Sequence, residues 1–275
     1  LVRDLLSKYG VKGGSLDQHF LVDESILDFI AGAADLCDGD RVLEIGGGVG
    51  NLTERLLEKA GRVTVIEFDP YLVNVLRDRF GDRDDFEVIH GDAVKAELPG
   101  FNKVVANLPY SISSPITFRL LRHGFDLAVL MYQYEFARRL VSPEGSRQYG
   151  RLSVGIRHYA DAGIIREIPP SAFIPQPEVR SAVVRLIPRR APYPVRDEAF
   201  FLRVVEAAFS KRRKKLRNAL SGIIPPGGKQ FILAGFPESF LDRRAEQLSP
   251  EEFASLSNRL FDLIREFKEK AGESR

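Results

Sequence analysis

Arg41-Val42-Leu43-Glu44-Ile45-Gly46-Gly47-Gly48-Val49-Gly50 decides the fold of this chain. Arg41–Ile45 reads as a short buried strand, and the glycines that follow let the backbone turn sharply out of it. From Asn51 to Ala60 apolar residues return at helical spacing. Val63–Phe68, Phe86–His90, Lys103–Ala106 and Leu127–Tyr132 read as further strands, with Pro70–Phe80 and Ser114–Arg122 as helices between them. Parallel strands need long crossovers, so this alternation predicts an α/β fold, a mostly parallel sheet covered by helices on both faces.

Asp23, ahead of the stripe Ile26, Leu27, Phe29 and Ile30, is placed to cap a helix that precedes the sheet. Past the fifth strand, Tyr149–Tyr159 reads as a helix. Ile164–Ile168 and Ser181–Ile187 read as strands on either side of a proline-rich loop from Pro169 to Pro177. Such a pair extends the sheet with an antiparallel edge. Pro188 to Val195 reads as a linker, because proline resists both helix and central strand. Beyond it the pattern is helical: Glu198–Ser210 is amphipathic and Lys211–Leu220 is basic. Ser249-Pro250-Glu251-Glu252 opens the last helix with an N-cap, a first-turn proline and a capping-box glutamate. The expected organisation is a sheet domain over residues 1–190 and a small all-helical domain over residues 191–275.

A chain of 275 residues can bury its core without cross-links, and 44% hydrophobic with 28% charged residues excludes wholesale disorder. The one cysteine, Cys37, can close neither an internal disulfide nor a Cys-rich zinc site, which points to a reducing cytoplasm. Cys37 itself reads as a small core side chain. His19, His90, His123 and His158 are scattered without zinc spacing, so no metal is expected. Leu127 to Tyr132, the longest apolar run, is far short of the roughly 20 residues that span a bilayer, and no membrane partner is expected. The chain opens on Leu1 with neither methionine nor a signal-like apolar core, so a leader or a few native residues are expected ahead of it. No exposed seam demands a second copy, and a monomer is expected.

The net charge of +2 is unevenly placed. Residues 191–275 hold 16 Lys and Arg against 12 Asp and Glu, whereas residues 1–190 hold 24 against 26. Lys211-Arg212-Arg213-Lys214-Lys215, continued by Arg217, is the focus of the excess. A run of this kind suits a polyanion such as RNA, or else a solvated helix face.

The chemistry begins at the glycine loop. Ligands of open α/β sheets sit beyond the carboxyl ends of the strands, where Gly46 and Gly48 leave bare peptide groups against which a cofactor can lie. Glu67, ending the next strand, offers a carboxylate to both hydroxyls of a ribose. A dinucleotide fingerprint would need glycine at position 51, where Asn51 stands. The G-x-G-x-G spacing with an acid two residues ahead resembles the S-adenosylmethionine loop of Rossmann-like methyltransferases. In Gly91-Asp92-Ala93, Asp92 either accepts from an adenine amino group or caps a turn.

Asn107-Leu108-Pro109-Tyr110, after the fourth strand, is the decisive motif. The lone pair of an adenine N6 amine is delocalised into the ring, which makes the nitrogen a poor nucleophile. Two acceptors on its hydrogens favour the tetrahedral, nucleophilic form. Asn107 offers a side-chain carbonyl, Pro109 a main-chain carbonyl, and Tyr110 a flat face for a base flipped out of its strand. Phe173 reads either as the opposite slice of that aromatic sandwich or as an ordinary core residue. Gln18-His19-Phe20-Leu21, ahead of the first helix, is placed to close over the cofactor.

Taken in order, these segments resemble the ribosomal RNA adenine N6,N6-dimethyltransferases over nearly the whole chain. Gln133-Tyr134-Glu135-Phe136-Ala137-Arg138-Arg139, Tyr149-Gly150-Arg151-Leu152-Ser153-Val154 and Phe173-Ile174-Pro175-Gln176-Pro177-Glu178-Val179 belong to the likeness. So does Arg212-Arg213-Lys214-Lys215-Leu216-Arg217-Asn218. The resemblance implies a Rossmann-like class I methyltransferase sheet followed by a helical RNA-binding domain, with S-adenosyl-L-methionine as cofactor. It implies cofactor contacts at His19, Leu21, Gly46, Glu67, Asp92 and Asn107. The substrate implied is a pair of adjacent adenosines near the 3′ end of small-subunit rRNA, dimethylated during assembly of an immature subunit.

Three positions depart from the family's usual pattern. Asp17 stands for Gly, Gly47 for Pro and Arg180 for Asp. Two other functions remain open: a resistance-type methyltransferase acting on large-subunit rRNA, which shares the motif order, and an RNA-binding assembly or transcription factor that keeps the fold but works without catalysis. A nicotinamide dehydrogenase is disfavoured by Asn51 and by the lack of a hydride-relay constellation.

Overall fold

The computed structural model describes residues 2–12 and 18–272. Its strands are β1 (Phe20–Leu21), β2 (Arg41–Ile45), β3 (Arg62–Glu67), β4 (Phe86–His90) and β5 (Lys103–Asn107). They continue with β6 (Leu127–Gln133), β7 (Ala160–Ile168), β8 (Phe173–Ile174) and β9 (Ser181–Pro188). The first helices are α1 (Val2–Lys8), α2 (Glu24–Ala33), α3 (Asn51–Leu57), α4 (Pro70–Phe80), α5 (Ser113–His123) and α6 (Tyr134–Val141). The rest are α7 (Arg151–Tyr159), α8 (Glu198–Ser210), α9 (Leu216–Ala219), α10 (Lys229–Ala234), α11 (Glu238–Leu241) and α12 (Pro250–Lys270).

Seven strands form one sheet in the order β4-β3-β2-β5-β6-β9-β7. Neighbours run parallel from β4 to β6, and β9 then pairs antiparallel with both β6 and β7, the antiparallel edge the sequence predicts. Val63, Val65, Val104, Val105, Ala106 and Leu130 are fully buried, as strands of a sheet covered on both faces must be. Each buried Val or Leu contributes about 1.5–3 kcal/mol relative to exposure. The order departs in opposite directions from β2, through β3 on one side and β5 on the other. That switch point is where an open α/β sheet leaves a crevice at its strand ends, and it places the glycine loop beside Asn107.

The helix starts follow the expected caps. Asp23 accepts the N–H groups of Ser25 at 3.0 Å and Ile26 at 3.3 Å. Ser249 and Glu252 form a reciprocal capping box on α12.

The chain divides into two compact units, at boundaries other than the one expected at 190. The sheet unit runs to Arg138 and resumes over Ala160–Pro188. The second unit takes Arg139–Tyr159 and resumes at Arg189. Tyr149 and Val154 explain the reassignment: both are buried in one hydrophobic cluster with Phe201, Val204, Phe253 and Leu260. The Tyr149 hydroxyl also donates to the Leu248 carbonyl at 2.8 Å.

Other expectations are corrected in detail. Lys211–Leu220 is not one basic helix; α8 stops at Ser210, a turn follows, and Lys215 bridges Arg244 before the short α9. Cys37 is exposed rather than in the core, in the turn before β2 where Asp40 accepts its backbone N–H at 2.8 Å. Helix α6 and the two-residue pair β1–β8 are additions to the expected pattern. Among the described residues no helix is long and apolar enough to cross a membrane.

Candidate active site

A cavity of about 320 Å³ opens at the carboxyl ends of β2, β3 and β5. It lies wholly within the sheet unit and gathers His19, Leu21, Gly46, Gly48, Glu67 and Asp92 with Asn107, Pro109 and Tyr110. In the sequence these residues are scattered over four strand ends and the segment ahead of α2; the parallel topology gathers the strand ends, and the β1–β8 pair lies in the segment that brings His19 and Leu21 to them.

The glycine loop is shaped by its contacts. Gly48 has φ +58°, a left-handed conformation costly for other residues, and a Cβ there would meet the Phe20 ring at 3.2 Å. Its N–H donates to Glu67 Oε2 at 3.1 Å. At Gly47 a Cβ would come within 2.7 Å of Val65 Cγ1, so the absence of a side chain lets the loop seat closely on β3.

Glu67 is almost wholly buried, and its other oxygen, Oε1, accepts the Asp69 N–H at 2.9 Å. Burial pushes its carboxyl above the usual range, and the backbone donors of Asp69, Gly48 and Phe68 oppose that rise. Each carboxylate oxygen retains a lone pair for a diol. Behind it Glu44 is buried deeper, receives the Thr53 hydroxyl at 2.6 Å, and is pushed up to about 8 by desolvation. The nearby Glu67 charge adds to the rise. Asp92 serves its turn as well as the cavity: Oδ1 accepts the Val94 N–H at 2.9 Å, while Oδ2 lies 3.5 Å from Lys95.

Asn107 ends β5 with its Nδ2–H donating to the main-chain carbonyl of His19 at 3.3 Å. The nitrogen end of the amide is thereby tied down, and the oxygen end is the acceptor it keeps. The Pro109 carbonyl accepts the Ile112 N–H at 3.2 Å, which uses one of its two lone pairs in the turn before α5. Tyr110 lies against the His19 ring, centroids 5.9 Å apart and planes 29° apart, and its hydroxyl meets Ser181 Oγ at 2.7 Å. The Nδ1–H of His19 donates to the Pro175 carbonyl at 2.8 Å.

Phe173 does not join this site. It is 1% exposed, lies outside the cavity lining, and packs in the core with Phe20 and Leu21, its backbone paired with Leu21. A ring sealed on all sides has no face for a base, so the core reading holds. Phe173 supports β1, which carries Leu21 and adjoins His19.

Sequence reasoning missed two residues. Phe68 lines the cavity with 58% of its surface exposed, a flat apolar face whose signal was its place directly after Glu67. Arg119 on α5 donates to the carbonyls of Ala93, at 2.6 Å, and Ala96, fastening the Asp92 loop to the helix that follows Tyr110. Nothing local in the sequence marks it.

Of the departures from pattern, Asp17 lies outside the described residues. Arg180 is accounted for: its guanidinium stacks over Tyr134 at 4.5 Å and bonds Glu167 at 2.8 Å.

In the second unit the basic run is half committed. Arg212 pairs with Glu246 at 2.8 Å, Lys215 with Asp242 at 2.9 Å, and Arg217 also with Asp242. Lys211 reaches the Ser221 hydroxyl at 3.3 Å. Arg213 and Lys214 are exposed and have no carboxylate partner among the described residues.

A mostly parallel sheet with a glycine loop, a ribose-type acid and Asn-Leu-Pro-Tyr at its switch point defines a class I, S-adenosylmethionine-dependent methyltransferase. The donor set fits that cofactor: Glu67 suits a ribose, Asp92 an adenine amine, and the Gly46–Gly48 peptides a chain lying along them. The family described as ribosomal RNA adenine dimethylase matches residues 12–262. The chain belongs to this family, as an rRNA adenine dimethyltransferase.

It is 56% identical to a probable ribosomal RNA small subunit methyltransferase A of Methanosarcina mazei, covering 96% of this chain and 98% of that one. Identity to the protein of the same description from Halobacterium salinarum is 46%, covering 92% of each. Among solved structures, a dimethyladenosine transferase from Plasmodium falciparum superposes with a TM-score of 0.73 at 30% identity, over 92% of this chain and 98% of that one. The 23S rRNA methyltransferase ErmE gives 0.64 at 28% identity, over 90% and 99%.

Proposed function

We propose that this enzyme dimethylates N6 of two adjacent adenosines near the 3′ end of small-subunit rRNA, acting in the cytoplasm as a monomer on an immature subunit. The observation that carries the chemistry is the anchored carboxamide of Asn107. The relatives of 46–57% identity, described as small-subunit enzymes, support the choice of RNA.

When bound, the cofactor supplies a methyl group activated by its sulfonium. Glu67 and Asp92 hold the nucleoside end, and the glycine loop holds the rest. The flipped adenine stacks on Tyr110, and its amino hydrogens are gripped by Asn107 Oδ1 and the remaining lone pair of the Pro109 main-chain carbonyl. Withdrawing those hydrogens from the ring plane localises the N6 lone pair. With N6 so held, the bound cofactor's methyl would be the group transferred to it, and the surplus N6 proton would leave to water. Positioning and the two fixed acceptors supply the rate. After one transfer N6 keeps a single hydrogen, so the second turnover relies on one acceptor and on room beside Leu108.

Arg213 and Lys214 hold RNA phosphates, with Lys211, Arg212, Lys215 and Arg217 shaping the turn that presents them.

The test is transfer of labelled methyl from S-adenosylmethionine to purified immature small subunits, followed by mapping of the modified nucleosides. Two neighbouring dimethyladenosines near the 3′ end are expected. Label appearing only in large-subunit rRNA would reassign the substrate, and RNA binding without transfer would make the chain an assembly factor.

A further inference from the structure

Phe173, which reads either as a stacking ring or as a core residue, opens a segment that runs to Ser181. The segment meets the site elsewhere along its length. The Pro175 carbonyl holds the His19 ring at 2.8 Å, and the Ser181 hydroxyl holds the Tyr110 phenol at 2.7 Å. The two held rings are the ones that lie against each other. One stretch of chain therefore brackets the aromatic pair from both ends.

Ser181 is suited to be the fixed end of its bond. It is fully buried, and it begins β9 opposite Gln133 of β6 and Ile168 of β7, so its backbone is gripped by a strand on either side. Tyr110 is only partly buried and sits in a single 3-10 turn between β5 and α5. A tyrosine ring in such a place has a broad, soft rotation about its last side-chain bond. A hydroxyl bond to an immobile partner removes that freedom, and a buried serine oxygen has strong reason to keep the bond.

We infer that Ser181 is a positioning residue for methyl transfer: its hydroxyl fixes the plane of Tyr110 and, through it, the plane of the target adenine. This rests on the reading of Tyr110 as the base platform. Ser181 touches neither substrate nor cofactor. Its loss leaves cofactor binding intact and loosens the angle at which N6 meets the methyl carbon.

The experiment uses the full chain with Ser181→Ala, Tyr110→Phe and the double variant. Each single change deletes one hydroxyl of the pair while keeping the ring. Three quantities are measured: affinity for S-adenosylmethionine by calorimetry, kcat and KM on small-subunit RNA, and emission from RNA carrying 2-aminopurine at the target position. The fluorophore is quenched when it stacks on a tyrosine. For Ser181→Ala we expect cofactor affinity within about twofold of the wild type, kcat lower by about tenfold with KM little changed, and brighter emission. The double variant should be no worse than either single one, because one bond is deleted in all three.

Losses that multiply in the double variant, or a Ser181→Ala protein with wild-type kcat and emission, overturn the inference while the functional reading stands. A wild-type protein that neither transfers methyl nor changes 2-aminopurine emission overturns both. Should Ser181→Ala fail to fold, Tyr110→Phe reports the same bond from its more exposed side.

Discussion

Asn107 donates its amide hydrogen to the His19 carbonyl across 3.3 Å, joining the end of β5 to the segment that enters β1. The bond orients the carboxamide before any substrate arrives, so the acceptor needs no reorganisation at the moment of reaction. Asn107 and His19 line one cavity, so the bond also ties two parts of that wall together.

Replacing Asn107 with Ala should therefore lower methyl transfer by about 100-fold or more, the usual effect of deleting one preorganised polar group. Cofactor affinity should change much less. Asn107→Asp should be no rescue, because a carboxylate cannot donate to the His19 carbonyl. Single-turnover transfer together with calorimetry separates the two effects.

Glu67→Gln should weaken S-adenosylmethionine binding by about tenfold or more, since a charged acceptor for a diol is lost. The burial that raises the Glu67 carboxyl gives wild-type binding a pH dependence. Affinity should fall as the medium becomes acidic enough to protonate that carboxyl, and this should begin above the ordinary value of 4.5. Calorimetric titration at several pH values checks both statements.

Glu44 is raised from 4.5 to about 8. Between those values the folded chain keeps a proton that the unfolded chain releases. The group's contribution to stability is full below pH 4.5 and is lost as pH rises through about 8. Glu44→Gln keeps an acceptor for the Thr53 hydroxyl and cannot ionise. Its denaturation midpoint, relative to the wild type, should climb from pH 5 and level off above about pH 8.

His158 behaves in the opposite sense. It is buried against Tyr159, Tyr193 and Phe201, and desolvation pulls it below the ordinary 6.5. Glu198, 3.8 Å away, opposes that shift and Arg189 adds to it. Stability from neutral His158 is present above pH 6.5 and is lost as pH falls through the lowered value. Urea midpoints should fall from pH 7 towards pH 5 in the wild type, and less steeply in His158→Phe.

For RNA, Arg213→Ala with Lys214→Ala should reduce the slope of log affinity against log salt by about 0.7 per contact removed. Arg212→Ala should act differently, lowering thermal stability through loss of Glu246. Filter binding over a salt series and melting curves tell these outcomes apart.

The strands and the Asn107–Tyr110 corner were legible because their signals are local. Val63–Phe68 and Phe86–His90 are short apolar runs bounded by turns, and Asn107–Tyr110 is contiguous. What was not legible depends on distant partners. Phe173 looks alike in a stacking loop and in a core, and only Phe20 and Leu21 decide between them. The basic run reads as six free cations until Glu246 folds back from 34 residues away onto Arg212. The pair β1–β8, two residues on each side, is too short for any periodicity to show.

The peptide changes allegiance three times, after Arg138, Tyr159 and Pro188. A ribosome making this protein thus releases Tyr149 and Val154 well before the partners that will enclose them, Phe201 and Phe253, have been synthesised. The helical half cannot mature until α12 has been made, nor can it be excised by clipping at the proline-rich junction, because such a fragment would leave behind a tyrosine and a valine on which its interior closes. Nascent chains from which residues up to 190–250 have emerged should accordingly stay protease-sensitive over 139–159, while the strands of the sheet become resistant.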